Sequence, residues 1–100
     1  MNGPNIIGGN IPLHFTRHAV QQMFQRHITE EEVKIVMRNG EVIKSYEDDK
    51  PYPSYLIFHY INNRPLHVVA ANSIEDNIIT IITAYEPSTD IWEDNFKARK

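Results

Sequence analysis

The stretch "ITEEEVKIVMRNGEVIKSYE", residues 28 to 47, contains the point at which a helical pattern gives way to a strand pattern. Thr29 followed by Glu32 predicts a capping box, in which each side chain bonds the backbone N–H of the other residue. Acidic residues fill the first turn and Arg38 lies in the last, as the helix dipole favours. Gly40 predicts a left-handed stop. The residues that follow are rich in Val, Ile and Tyr, which is typical of strands.

The remaining elements are predicted outward from this point. Four strands are expected at residues 41 to 47, 54 to 61, 65 to 72 and 77 to 85, and a further strand around Leu13 to Phe15. The connectors between the four strands are short, so consecutive strands should pair as antiparallel hairpins. Thr16 is expected to cap a first helix over residues 17 to 27. The sequence therefore predicts a two-layer α+β fold, with two N-terminal helices packed on a four- to five-stranded antiparallel sheet.

The two ends of the chain are expected to differ. Residues 1 to 12 contain many Gly and Asn residues and are predicted to be a flexible lead, with residues 13 to 100 forming a single domain. After Pro87 we expect a short C-terminal helix with Trp92 and Phe96 facing the sheet. Both faces of the strands are largely apolar, so we expect the second face to be covered by this C-terminal segment or by another chain.

Composition narrows the classes of function. The 100 residues contain no cysteine, which excludes a disulfide framework, a thiolate metal site and a cysteine nucleophile. The net charge of -3 argues against indiscriminate binding to nucleic acid. Between His14 and His27 there are two arginines, three histidines and no acid, which favours a local anion site. With no secretion leader and no apolar run of roughly 20 residues, we expect a cytoplasmic protein without a membrane partner.

The first helix offers candidate functional residues. On a helical wheel at about 100° per residue, one apolar arc is expected to face the sheet. This arc consists of Ala19, Val20, Met23, Phe24 and His27. His18 and Arg26 lie two turns apart on its polar edge. In a structural interpretation His18 bonds a backbone group and Arg26 pairs with an acid such as Glu30; in a functional one, both belong to a reactive site. His27 is expected to close the helix.

Patterns for other kinds of site are weak or missing. His14 and His18 are four residues apart, but His14 precedes the helix cap and no acid lies between them, so we expect no metal and no other cofactor. The sequence has no glycine-rich phosphate loop, no serine nucleophile elbow and no aromatic RNA-binding signature. Tyr52 and Tyr55 are expected to be packing residues.

Four segments in order resemble a known family. They are "FTRHAVQQMFQRHITEEEV" (15 to 33), "GEVIKSYEDDKPYPSYLIF" (40 to 58), "RPLHVV" (64 to 69) and "IITAYEP" (81 to 87). Together they resemble family 4258 of bacterial domains of unknown function, over nearly residues 13 to 96. Its members typically show a His and then an Arg on the first helix, a Leu-His-Val strand, and a Thr-x-Tyr strand followed by Pro. The matching residues here are His18, Arg26, His67, Thr83 and Tyr85, with Glu86 standing between Tyr85 and Pro87.

That family is similar in layout to the BrnT and RelE/ParE toxins of bacterial toxin–antitoxin modules. The resemblance implies an endonuclease that cleaves messenger RNA and is inhibited by a cognate antitoxin. Metal-free RNA cleavage needs a base for the 2′-hydroxyl, a proton for the leaving 5′-oxygen and positive charge at the phosphate. His18 or His67 is expected to be base or acid. Arg26 and Arg17 are expected to clamp the phosphate, and Tyr85 and Thr83 to position it.

Two alternatives remain open, because the acidic balance departs from that of the strongly basic ribosome-dependent toxins. One is a non-catalytic interaction module that forms a homodimer or binds an antitoxin-like protein, with His18 and Arg26 organising structure. The other is an enzyme that acts on a phosphorylated or carboxylated small molecule. Catalytic groups must reach one reacting centre, so the endonuclease hypothesis requires His18, Arg26, His67 and Tyr85 to converge. A buried His67 bonded only to protein would favour the module.

Overall fold

A computed structural model describes residues 11–100. The elements are β1 (Leu13–Phe15), α1 (Arg17–Gln25), α2 (Glu30–Asn39), β2 (Glu41–Tyr46), β3 (Ser54–Ile61), β4 (Arg64–Ser73) and β5 (Ile78–Tyr85). The five strands form one sheet in the order β1-β5-β4-β3-β2. The α+β class with two N-terminal helices is confirmed. Most of the predicted flexible lead, residues 1 to 10, lies outside the described residues.

The sheet is mixed, so the prediction of a purely antiparallel sheet was wrong. The strands from β2 to β5 form the expected antiparallel meander. However, β1 pairs in parallel with β5, with Leu13 opposite Ile79 and Phe15 opposite Ile81. Short connectors fix the relative direction only of strands that follow each other in the chain. The first strand, β1, pairs with the last strand in the chain, β5, so no connector length predicted its direction.

The turn between β3 and β4 sets which residues share a face. Asn62 and Asn63 have φ values of 51° and 70°, as a two-residue type I′ hairpin turn requires. The resulting register places Phe58 opposite His67, so these two side chains share one face of the sheet.

The helix α2 begins as predicted but ends differently. Thr29 Oγ1 accepts a bond from the Glu32 N–H at 3.0 Å, and the Thr29 N–H donates to Glu32 Oε1 at 2.9 Å, which confirms the capping box. Gly40 is extended, with φ −77° and ψ −179°, so the left-handed stop was wrong. A Cβ at Gly40 would lie 2.5 Å from the Val36 carbonyl oxygen and 2.9 Å from that of Phe58. Glycine is needed here for close backbone approach.

The helix α1 presents a narrower apolar stripe than its wheel predicted. Thr16 caps it, accepting from the Ala19 N–H at 3.0 Å. Ala19 and Met23 are buried as expected, but Phe24 is 83% exposed. The reason is that α1 packs mainly against β5, the strand next to the edge strand β1. The helix ends before the predicted residue 27, because His27 turns left-handed with φ 58°.

The second face of the sheet is covered by residues 88–100, which we call the strap. The predicted C-terminal helix is not present in them. Trp92 instead forms a backbone bridge with Arg99, and the Ala98 carbonyl accepts from the Glu93 N–H at 2.8 Å. Phe96 has φ 58°, which a helix cannot accommodate. The expectation that the C-terminal segment covers this face is confirmed. No helix within residues 11–100 is long and apolar enough to cross a lipid bilayer.

Candidate functional site

His67 and Tyr85 form a hydrogen-bonded pair beneath the strap. His67, on β4, is fully buried, and its Nε2 lies 2.8 Å from the Phe96 carbonyl oxygen. Since a carbonyl only accepts hydrogen bonds, Nε2 carries the proton and Nδ1 is free to accept. The Tyr85 hydroxyl, 3.2 Å away, therefore donates to Nδ1. Both ring nitrogens of His67 are satisfied by protein groups.

Aromatic rings surround the His67 imidazole. The centroids of Trp92, Tyr85 and Phe58 lie 4.5, 5.2 and 5.7 Å from that of His67, all edge to face, an arrangement that aromatic rings favour. Burial lowers the pKa of His67, and its bond to the Phe96 carbonyl opposes this shift only in part. The imidazole is thus neutral at neutral pH and is enclosed by protein.

Tyr85 is better placed than His67 to meet a ligand, because its side chain lines an open groove. Burial raises the pKa of the Tyr85 hydroxyl, and the neighbouring Tyr46 raises it further, while the positive charges of Arg99 and Arg26 oppose the shift. The hydroxyl therefore keeps its proton at neutral pH. A neutral phenol can donate a proton or a hydrogen bond.

The groove beside Tyr85 has a volume of about 550 Å³ and lies between β2 and the strap. Its lining includes the cations Lys44, Lys97 and Arg99, and no carboxylate from residues 11–100. The Arg99 guanidinium lies 5.5 Å from the centre of the Trp92 ring, and Lys44 Nζ lies 6.0 Å from that of Tyr46. Cations over aromatic faces are favourable, so this lining suits an anionic ligand.

A second cluster joins α1 to β5. The Arg26 guanidinium donates to Thr83 Oγ1 at 3.2 Å and to the Ala84 carbonyl at 2.9 Å, and the Thr83 hydroxyl donates to Gln22 Oε1. Arg26 therefore bonds the last strand of the sheet. Arg64 in turn donates to the Arg26 carbonyl at 2.8 Å and closes the end of α1.

The predicted site residues are thus brought together in two pairs. His67 meets Tyr85 and Arg26 meets Thr83, on one short segment of β5. No hydrogen bond within residues 11–100 joins the pairs, although the charge of Arg26 acts on Tyr85. Arg17 and His18 are exposed on α1. Among the described residues, no three His, Asp or Glu side chains are grouped to hold a metal ion.

Sequence reasoning missed the cations of the groove. Lys44 and Tyr46 stand two residues apart in β2, so alternation alone puts them on one face. Lys97 and Arg99 belong to the basic end "KARK", residues 97 to 100. Both pairs of residues can be seen in the sequence. That they line one groove could not be predicted, because it depends on where the strap crosses the sheet.

Comparison with known proteins gives a family and no further relatives. A family model described as "Domain of unknown function (DUF4258)" matches residues 15–86. No curated protein and no solved structure gives a significant match. The matched region includes both pairs of predicted site residues and β2, and it ends before the strap.

Proposed function

The chain belongs to the DUF4258 family, and the layout expected for that family is similar to that of bacterial toxins. We propose that it is a toxin-like, metal-independent RNA endonuclease. It would act in the cytoplasm as part of a toxin–antitoxin module, with messenger RNA as substrate and a cognate antitoxin as inhibitor. The observation that carries this proposal is the groove that Tyr85 lines together with Lys44, Lys97 and Arg99; of these cations, only Lys97 is paired with a carboxylate from residues 11–100, that of Glu41. Phosphodiester cleavage needs both positive charge and a proton donor at one place.

The proposed reaction balances with a proton donor, Tyr85, on the strap-covered face of the sheet and a base, His18, on α1, which packs on the other face. The ribose 2′-oxygen loses its proton to a base and attacks phosphorus, the bond to the 5′-oxygen breaks, and that oxygen takes a proton. The products are a 2′,3′-cyclic phosphate and a 5′-hydroxyl. Tyr85 is the proton donor, since its raised pKa keeps the phenol neutral. Its hydroxyl leaves His67 Nδ1, gives its proton to the departing 5′-oxygen and regains a proton from solvent.

The roles of the predicted histidines and arginines are then divided. His67 is enclosed, so it is a positioning residue that holds the Tyr85 hydroxyl. His18 is exposed and stays the predicted base that RNA can contact. Arg26 holds β5 through Thr83 and Ala84 and adds positive charge near Tyr85.

The proposal is tested with purified protein and single-stranded RNA in the presence of a metal chelator. We expect cleavage that leaves 2′,3′-cyclic phosphate ends, and a loss of about 10²- to 10⁴-fold in Tyr85→Phe, the usual contribution of a general acid. Tyr60→Phe is the matched control, because Tyr60 is half exposed on the same sheet face and makes no side-chain hydrogen bond within residues 11–100. Intact RNA after incubation with folded wild-type protein would contradict the proposal.

A second test uses the cell. Inducible expression in a bacterium should slow growth and degrade RNA for the wild type, and less so for His18→Ala, Arg26→Ala and His67→Ala. If all four proteins accumulate, cells grow equally and RNA stays intact, the endonuclease proposal is wrong.

One observation favours the alternative of a non-catalytic interaction module. Both ring nitrogens of His67 bond protein groups, which is the arrangement of a residue that stabilises structure. In addition, Phe24 stands exposed on α1 beside a shallow apolar pocket of about 330 Å³ that Met23 and Ile28 also line. Such a surface suits an antitoxin-like partner. Under this alternative, the chain would bind a partner protein and leave RNA uncut.

A further inference from the structure

The strap lies outside the region that matches the family, yet it forms one wall of the groove. The match ends at residue 86, whereas Trp92, Lys97 and Arg99 all line the groove. We propose that the strap supplies the phosphate-binding wall of the site and that Arg99 binds a phosphate of a single-stranded RNA beside Tyr85. This inference rests on the proposed RNA substrate and adds to it a binding residue and the part of the chain that carries it.

Charge is the first reason for this assignment. The whole chain carries a net charge of -3, but the groove is lined by three cations and by no carboxylate from the described residues. Glu41 pairs with one of these cations, Lys97, so the local positive potential that attracts anions comes mainly from Lys44 and Arg99. This acidic protein therefore has a positively charged groove that is open to a ligand.

Arg99 is the cation best suited to bind a phosphate. Lys97 is paired with Glu41 at 2.9 Å, whereas within residues 11–100 no carboxylate lies within salt-bridge distance of Arg99. Its guanidinium is held over the Trp92 ring, which leaves its N–H groups available. A planar guanidinium binds a phosphate through two parallel hydrogen bonds.

The position of Arg99 also fits the proposed chemistry. Arg99 and Tyr85 line the same groove, so a phosphate bound by Arg99 would lie on the side of the sheet that holds the proton donor. The groove, at about 550 Å³, has the size of a small-ligand pocket and suits a nucleotide unit of a single strand. Tyr46 is 38% exposed on its lining and offers a ring on which a base can stack.

The buried His67 holds this wall of the groove in place. The His67 Nε2–H bonds the Phe96 carbonyl, and the His67 ring meets that of Trp92, over which Arg99 lies. One imidazole therefore orients Tyr85 through Nδ1 and anchors the strap through Nε2. Proton donor and phosphate-binding wall are fixed relative to each other through His67.

The experiment measures binding apart from cleavage. A fluorescein-labelled single-stranded RNA with a 2′-O-methyl group on every ribose has no free 2′-hydroxyl, so it can bind without being cut. Fluorescence anisotropy gives the dissociation constant, and the single tryptophan, Trp92, provides a second signal from the groove. Wild type is compared with Arg99→Gln and with Arg38→Gln, which removes the same charge from the exposed end of α2.

We expect Arg99→Gln to weaken binding by about tenfold, which corresponds to one lost charge-assisted contact. Arg38→Gln should change the dissociation constant by less than about twofold, as expected when only a distant, screened charge is removed. Circular dichroism and urea unfolding show that each variant is folded. Equal binding by the two variants, or no binding by the wild type, overturns the inference.

Cleavage assays separate this inference from the proposed function. If the wild type binds the methylated strand in an Arg99-dependent way but leaves ordinary RNA intact, the inference stands and the endonuclease proposal falls. If RNA is cleaved and Arg99→Gln leaves both KM and kcat unchanged, the endonuclease proposal stands and the inference is overturned.

Discussion

The two faces of the sheet are built from the same strands but closed in different ways. The helix-covered face is hydrocarbon, with Val36, Leu66 and Val68 fully buried in its core. The strap-covered face contains a fully buried histidine, edge-to-face aromatic rings and a groove lined by cations. In β4 the alternation of side chains gives Leu66 and Val68 to one face and His67 to the other. The two faces thus differ in chemical character, and the proposed function assigns ligand binding to the strap-covered one.

Truncating one leucine on each face should break this comparison most directly. Leu66→Ala removes a fully buried side chain beneath the helices, and we expect it to lower the free energy of unfolding by about 3–5 kcal/mol, since an enclosed cavity remains. Leu56→Ala lies on the other face beside the open groove and should cost about 2–3 kcal/mol, because solvent reaches the space. Urea unfolding measures both. Ile74→Ala, at a residue that is 74% exposed, is the control and should stay within about 0.5 kcal/mol. An equal loss for the two leucines would show that both faces are closed alike.

Tyr85→Phe tests the polar character of the strap-covered face. The change removes the only donor to His67 Nδ1 within the described residues, and a buried acceptor left without a partner costs about 1–3 kcal/mol. We expect the lower half of this range, since water can enter from the groove. Urea unfolding of Tyr85→Phe beside Tyr60→Phe provides the measurement. If the two variants are equally stable, the bond to Nδ1 contributes nothing to folding.

The pH dependence of stability should also come from the strap-covered face. Burial lowers the folded-state pKa of His67 below the ordinary histidine value of 6.5. As pH falls below 6.5, the unfolded chain therefore takes up the proton first, and stability is lost until the folded-state pKa is reached. Between pH 6.5 and 5.5 the wild type should lose more stability than His67→Gln, with about 1 kcal/mol as the upper limit, reached if the folded protein takes up no proton at His67 in this range. Chemical unfolding at several pH values provides the comparison. His59→Gln, on the other face, should keep the wild-type dependence; if it loses that dependence as His67→Gln does, His67 is not the source.

Sequence patterns predicted the parts of the fold that depend on local contacts. The capping box of Thr29 and Glu32, the cap at Thr16 and the strand periods depend on residues a few positions apart, and they were confirmed. The direction of β1 depends on its distant partner β5, and the exposure of Phe24 depends on how α1 crosses the sheet. A short window of sequence contains neither kind of information. The predictions of a purely antiparallel sheet and of a Phe24 that faces the sheet were therefore wrong.

The candidate site shows the same division. The resemblance singled out His67 and Tyr85, and the structure joins them. The groove cations were missed, because Lys44 and Arg99 are 55 positions apart and meet only through the strap. The position of Trp92 on the sheet was predicted from an expected helix, which is absent. Its apolar side chain is buried on the same surface by a different backbone path.

The smallest expected effect concerns the outer surface of the helix layer. Phe24 is 83% exposed, whereas its neighbour Met23 is only 3% exposed. Phe24→Ser should change the free energy of unfolding by less than about 0.5 kcal/mol, while Met23→Ala should cost about 2–4 kcal/mol. A loss above 1 kcal/mol for Phe24→Ser would mean that the hydrocarbon core extends beyond the buried stripe of α1. If Phe24→Ser is as stable as the wild type but no longer binds an antitoxin-like partner, this side of the helix layer is a docking surface. Three surfaces would then have different roles: a core that folds the domain, a helix that binds protein, and the groove that the proposed function assigns to RNA.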